Sequence, residues 1–193
     1  MDYRNRSASR VSDWLGRNPL MTVITHDWEF YEDGETIRPI SVGLKAESGE
    51  EYYAVFNNAR ELCQYSDWLM HNVGNFFRHP KCEFKQYDVI AKEVTEFIRS
   101  FEDVSLWADH GAYDHVALAQ VTGGTMMNLP PGIPMYTNDI QTLKYLVLKE
   151  DNSIKSSPRR MEPIQDPTSK HHALYDARHD MVLYKHYMKM LEL

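Results

Sequence analysis

Only two cysteines, Cys63 and Cys82, occur among the 193 residues of this chain. Two thiols make neither a disulfide framework nor a zinc motif. Both read as reduced, partly buried side chains without chemistry of their own. No run of about eighteen apolar residues is present, so no membrane-spanning helix is expected. The opening Met1-Asp2-Tyr3-Arg4-Asn5-Arg6-Ser7 has no apolar signal core, and the expectation is a cytoplasmic protein. Internal repeats are absent. Basic residues are in the minority, with 21 Lys and Arg against 28 Asp and Glu for a net charge of −7. That balance excludes a generic binder that holds nucleic acid by bulk positive charge. It leaves room for an enzyme that reaches phosphates through cations, because the carboxylates that hold them make the formal charge more negative.

What the chain does have is core material: 42% of residues are hydrophobic and 12% aromatic. At this length one α/β domain is the default. Residues 1–20 are polar and include Gly16 and Pro19; they read as an N-terminal extension in which Val11, Trp14 and Leu15 suit a short amphipathic helix. Residues 21–193 read as a single domain.

The most informative stretch is Thr22-Val23-Ile24-Thr25-His26-Asp27-Trp28-Glu29-Phe30. β-branched residues favour a strand, in which side chains alternate between faces. Asp27 and Glu29 then share one face, and Trp28 takes the other. Two such carboxylates either lie on the solvated face of an edge strand or share an oxygen-preferring cation such as Mg²⁺.

The remainder supplies a frame for that strand. Asp33-Gly34 is a hairpin signal between strands 21–29 and 36–46. Ser48-Gly49-Glu50 turns into Glu51-Tyr52-Tyr53-Ala54-Val55-Phe56, which completes an antiparallel meander. Between 58 and 78 the pattern is mixed, with Leu62, Tyr65, Trp68, Leu69 and Val73 on one helical face. Ile90, Val94, Phe97, Ile98 and Phe101 form a clearer helical stripe. Val104–Ala108 is a short strand after a crossover, expected parallel to 21–29. A helix over 112–122 stops at Gly123-Gly124. A rigid loop follows over 128–134, then a short strand over 135–137 and a helix carrying Ile140, Leu143 and Leu148. Residues 150–170 are polar. A long helix begins near 172, with Leu174, Ala177, Met181, Tyr184, Met188 and Leu191 stepping by three and four.

Open α/β sheets bind ligands at the carboxyl ends of their parallel strands. Asp27 and Glu29 lie at that edge. So does Asp114, in the first turn of the helix after strand 104–108, where a charge that suits the helix dipole is the other reading. His171 and Asp176 within one helix would splay by roughly 140° at about 100° per residue. They converge only if His171 sits on the preceding loop. A histidine beside a two-cation cluster can take a proton from attacking water, and such clusters serve in-line phosphoryl displacement.

Asp27-x-Glu29, Asp114 and His171-x-Ala173-Leu174-x-Asp176-Ala177, in this order, resemble the DEDDh group of DnaQ-like 3′-5′ exonucleases, whose fold is RNase H-like. The likeness is greatest to the small bacterial exoribonucleases of the polyadenylate-specific 3′-exoribonuclease AS type. It rests further on Glu29-Phe30, Glu32-Asp33-Gly34, Ile40-Ser41-Val42-Gly43, Gly111-Ala112-Tyr113-Asp114-His115, Leu129-Pro130-Pro131, Pro134-Met135-Tyr136-Thr137 and His171 through Arg178. It spans about residues 21–190. The resemblance implies a mixed β-sheet, an antiparallel three-strand meander plus parallel strands, flanked by helices. It implies two divalent ions, Mg²⁺ or Mn²⁺, with Asp27 bridging both, Glu29 and Asp176 completing one site and Asp114 holding the other. His171 rather than His172 is the implied general base. A homodimer and RNA 3′ ends as substrate are also implied, with nucleoside 5′-monophosphates as products. Trp28 departs from the family, which carries a small polar residue there.

Trp28, Phe30 and Tyr113 are the candidate substrate-binding residues. For Phe30 and Tyr113 the choice is between stacking on a base or ribose and core packing. Lys155, Arg159 and Arg160 read either as backbone contacts or as a solvated loop. Asp180 is expected to face solvent, and His26, His110, His115 and His179 have no metal-ligand spacing. The alternatives to an exoribonuclease are an exodeoxyribonuclease of the same fold and a non-catalytic nucleic-acid- or protein-binding module.

Overall fold

The structure is a computed structural model and describes residues 21–78, 83–150 and 162–191. The expectations for the first 20 residues, for Cys82 and for Lys155, Arg159 and Arg160 lie outside the described residues. Among the described residues no helix is long and apolar enough to cross a membrane.

Everything is hung on β1 (Thr22–Glu32). It pairs antiparallel with β2 (Ile37–Ala46), which pairs antiparallel with β3 (Glu51–Phe56). On its other edge β1 pairs parallel with β5 (Val104–Ala108), in the register Thr22↔Val104 to Thr25↔Trp107. Two-residue strands close the ends, β4 (Phe84–Lys85) beside β3 and β6 (Asn138–Asp139) beside β5. The order is β4-β3-β2-β1-β5-β6, the mixed sheet expected from the meander and the crossover.

Six α-helices flank the sheet among the described residues: α1 (Ala59–Leu62), α2 (Asp67–Asn72), α3 (Tyr87–Arg99), α4 (Ala112–Gly123), α5 (Ile140–Glu150) and α6 (Ala173–Met190). Ile90, Val94 and Ile98 step by four along α3 and pack with Leu118 and Val121 of α4 against Ile24, Trp28, Val42 and Phe56. The alternation of β1 sends Val23 the other way, into a cluster with Trp107, Leu143 of α5 and Met181 and Tyr184 of α6. A third cluster fills the space between β2, β3, α1 and α2 and includes Cys63, which is fully rather than partly buried.

Two segments depart from the sequence expectation. The stretch 58–78 is not one helical face. Ser66 is extended (φ −148°, ψ 125°) and caps α2 by accepting from the Leu69 N–H. That break turns Tyr65 and Trp68 outward. The last short strand lies at Asn138–Asp139 rather than 135–137, because β5 offers a partner only through Trp107 and Ala108; Met135 and Tyr136 are exposed.

One glycine decides how the layers meet. Gly43 stands opposite Asp27 in the β1–β2 register. A Cβ on Gly43 would lie close inside contact distance of the Ala173 and Leu174 backbone. The first turn of α6 therefore rests directly on the sheet beside Asp27. The Thr25 hydroxyl donates to the Ala177 carbonyl at 2.6 Å and fastens the same junction. Gly43→Ala is expected to lower the unfolding free energy by about 2 kcal/mol or more, as overpacking does, seen as a reduced urea midpoint.

Candidate active site

The carboxyl end of β1 is where the acidic side chains gather. β5 pairs with β1 only as far as Thr25, so the β1 edge beyond it is open. Asp114, in the first turn of α4, uses that opening: its Oδ1 accepts the Trp28 backbone N–H at 2.8 Å. The β1–β2 register shifts between Glu29 and Phe30. Such a bulge re-aims side chains at a strand end.

From the other side, α6 brings Asp176 in its first turn. His171 precedes the helix with φ of 66°, a left-handed conformation that reverses the chain. Its N–H then donates to Asp176 Oδ2 at 2.8 Å. Gln165 donates its side-chain amide to the other carboxylate oxygen. Ligand atoms of Glu29, His171 and Asp176 all lie within 4.8 Å of one another. His171 is thus on the loop and Asp176 in the helix, as their spacing requires. His172 is elsewhere: it stacks on Tyr53 (4.4 Å) and Tyr175 (4.3 Å), and burial lowers its pKa.

These carboxylates sit in a dry, repulsive setting. Asp27 Oδ2 is buried and has no hydrogen-bond partner among the described residues. Burial first, then the charges of Asp114, Glu29, Asp176 and Asp180, push the Asp27 carboxyl well above the usual range. Burial, then the charges of Asp176 and Asp114, raise Glu29 to about 8. Burial raises Asp114 to about 7 against the pull of the Trp28 and Asp114 N–H groups. Burial also raises Asp176, opposed by Gln165 and the His171 N–H. Converging oxygen ligands, one of them orphaned, are a donor set that fits a hard divalent cation such as Mg²⁺ or Mn²⁺.

Around this centre the structure corrects two expectations. The Trp28 side chain offers no exposed stacking face: its indole is buried in the core against Phe56 and donates through Nε1 to His26 Nδ1 at 3.1 Å. The His26 ring is held neutral by burial, its pKa near 3, and its Nε2 meets the Thr137 hydroxyl. What Trp28 gives the site is its backbone N–H. Asp180 does not face solvent; it is 5% exposed, and its Oδ2 accepts the Asp109 N–H at 2.9 Å.

Phe30 and Tyr113 stack on each other, with centroids 5.5 Å apart and planes 12° apart. Phe30 leans on the core cluster while the Tyr113 ring is exposed. On the opposite flank Trp68, half-exposed, meets the His171 ring edge-on at 4.7 Å. Trp68 and Gln165 are site neighbours that sequence reasoning did not find. A cleft of about 650 Å³ beside Arg99, Val104, Pro131 and Tyr136 holds none of the site carboxylates.

A mixed sheet with helices on both faces thus carries an acidic cluster at the end of β1 and a histidine beside it. Solved structures share the fold. The nuclease domain of 3′hExo, a DEDDh family member bound to rAMP, superposes with a TM-score of 0.56 at 15% identity, over 87% of this chain and 91% of that one. The RNase domain of yeast Pop2 gives 0.58 at 12% identity, over 94% and 81%. Residues 22–188 match the profile of the 3′-5′ exoribonuclease Rv2179c-like domain, and the chain belongs to that family. The 3′-5′ exoribonuclease Rv2179c of Mycobacterium tuberculosis (strain H37Rv) is 36% identical over 156 residues, covering 79% of this chain and 85% of the relative.

Proposed function

We propose that this chain shortens RNA from its 3′ end, hydrolysing the terminal phosphodiester to release nucleoside 5′-monophosphates. Family membership supports the activity. The observation that carries the mechanism is the convergence of Glu29, His171 and Asp176 within 4.8 Å, next to an Asp27 oxygen that is buried and unpaired. Asp27, Glu29, Asp114 and Asp176 would hold two Mg²⁺ or Mn²⁺ ions. When bound, such ions supply Lewis acidity at the phosphate and offset the carboxylate charge. His171 is the general base and takes the proton of the attacking water at a ring nitrogen. Its backbone N–H on Asp176 keeps the ring at the edge of the cluster. The exposed Tyr113 ring, backed by Phe30, offers a face for the terminal nucleotide to stack on. A homodimer and a cytoplasmic location belong to the same reading; sedimentation of the purified chain tests the first.

The function is tested with matched 5′-labelled RNA and DNA oligomers carrying single-stranded 3′ overhangs. A ladder shortening from the 3′ end of RNA, present with Mg²⁺ or Mn²⁺ and absent in EDTA, is the expected result. Faster loss of DNA would make the chain an exodeoxyribonuclease. No cleavage of either by folded protein would make it a binding module.

A further inference from the structure

Asp180 has a position that the four-carboxylate reading leaves without a purpose. It lies one turn beyond Asp176 on α6 and is buried. Its Oδ2 accepts the N–H of Asp109, the residue that follows β5. Asp109 is itself anchored, accepting the Gln141 side-chain amide at 2.6 Å. The chain then passes His110, left-handed at φ 58°, and Gly111 into α4, which carries Asp114. Asp180 therefore ties the helix that bears Asp176 to the turn that launches Asp114.

A neutral acceptor would make the same hydrogen bond. The charge is what requires a reason, because a buried carboxylate without a cation is strongly disfavoured. The charged groups acting on Asp180 are the carboxylates of Asp109, Asp114 and Asp176. Asp180 acts in turn on Asp27. Among the described residues the charges that act on Asp180 are all negative, and a divalent cation in the site already described would offset them.

We propose that Asp180 is a fifth carboxylate of the centre, a positioning residue that spans the Asp114 and Asp176 elements and whose charge tightens divalent-cation binding without ligating the ion. This rests on the two-cation reading above.

The test compares wild type, Asp180→Asn and Asp180→Ala by Mn²⁺ titration calorimetry and by thermal melting in EDTA. Asp180→Asn keeps an acceptor for the Asp109 N–H. It is expected to melt no lower than wild type in EDTA yet to bind Mn²⁺ about tenfold more weakly, the scale of one Coulomb interaction in a partly dry site. Asp180→Ala also loses the tether and is expected to melt lower as well. Wild-type Mn²⁺ affinity in Asp180→Asn would overturn the proposal and leave the two-cation reading standing. Absence of Mn²⁺ binding by wild type would overturn both. If Asp180→Asn does not fold, Asp180→Thr takes its place; failure of both makes the residue structural and ends the proposal.

Discussion

Asp27→Asn is expected to remove RNA shortening, a loss on the order of 1,000-fold or more, while making the cation-free protein harder to unfold. The two effects have one cause. Asp27 is the residue on which the charges of Asp114, Glu29, Asp176 and Asp180 all act, and one of its oxygens has no partner. The isosteric amide ends that repulsion but cannot serve as an anionic ligand. Cation catalysis at a phosphate is worth several kcal/mol, and each 1.4 kcal/mol or so is tenfold in rate. The stability half has a pH signature. A carboxyl raised by folding stabilises fully below its unfolded pKa of about 4, and the contribution is lost as pH rises through the folded value. With Glu29 near 8 and Asp114 near 7, that loss extends to about pH 8. Buried His26, lowered to about 3, works oppositely, adding stability as pH rises up to about 6.5. His115, His172 and His179, also lowered by burial, act as His26 does, so above pH 6.5 the raised carboxylates set the slope among the described residues. Wild type in EDTA should therefore melt at a falling temperature from pH 6.5 to 8.5, Asp27→Asn less so, and Mn²⁺ should reverse the slope. A flat wild-type profile in EDTA would mean that the cluster is not desolvated.

β1, β2, β3, β5 and α4 stand where the sequence puts them, because alternation, β-branching and glycine stops act locally. The α3 stripe is read as easily, since Ile90, Val94 and Ile98 are all fully buried. Part of the candidate site is legible from two periodicities, and the family resemblance supplies the rest, Asp114 and the choice of His171 over His172 included. The strand period places Asp27 and Glu29 together, and the helix period forces His171 off the helix that carries Asp176. Three features escape such reasoning. Trp68 turns outward only because Ser66 breaks the helical run, and a serine in a mixed segment does not announce a break. Trp28 and His26 satisfy each other across one pleat, a tertiary pairing with no local pattern. Asp180 is the third, because period and charge point opposite ways there. Buried Ala173, Ala177, Tyr184 and Tyr187 step by three and four through position 180, so the stripe crosses it. An acidic side chain by itself argues for solvent, whereas a charge in the middle of an apolar stripe argues for a functional group.

The second large effect falls on the histidine. His171→Ala is expected to slow RNA shortening roughly 100- to 10,000-fold, the range for losing a general base, while leaving the protein folded. The backbone supports that expectation. His171 holds φ of 66°, which histidine adopts more readily than alanine, so the substitution is expected to cost some stability, but the N–H bond to Asp176 does not involve the ring and is kept. The ring itself packs edge-on against Trp68, so the truncation leaves a gap at the surface rather than in the core. A ring nitrogen within 4.8 Å of ligand oxygens of Glu29 and Asp176 suits either a base or a third ligand. Two measurements separate these roles. If His171 is the base, His171→Ala keeps wild-type Mn²⁺ affinity, and added imidazole restores part of the rate by taking the proton in its place. If it is a ligand, Mn²⁺ affinity falls with the rate. Trp68→Ala extends the comparison, because the base role depends on where the ring is held. Losing the indole should lower the rate without lowering Mn²⁺ affinity, and Trp68→Phe should recover most of it by keeping an aromatic edge contact.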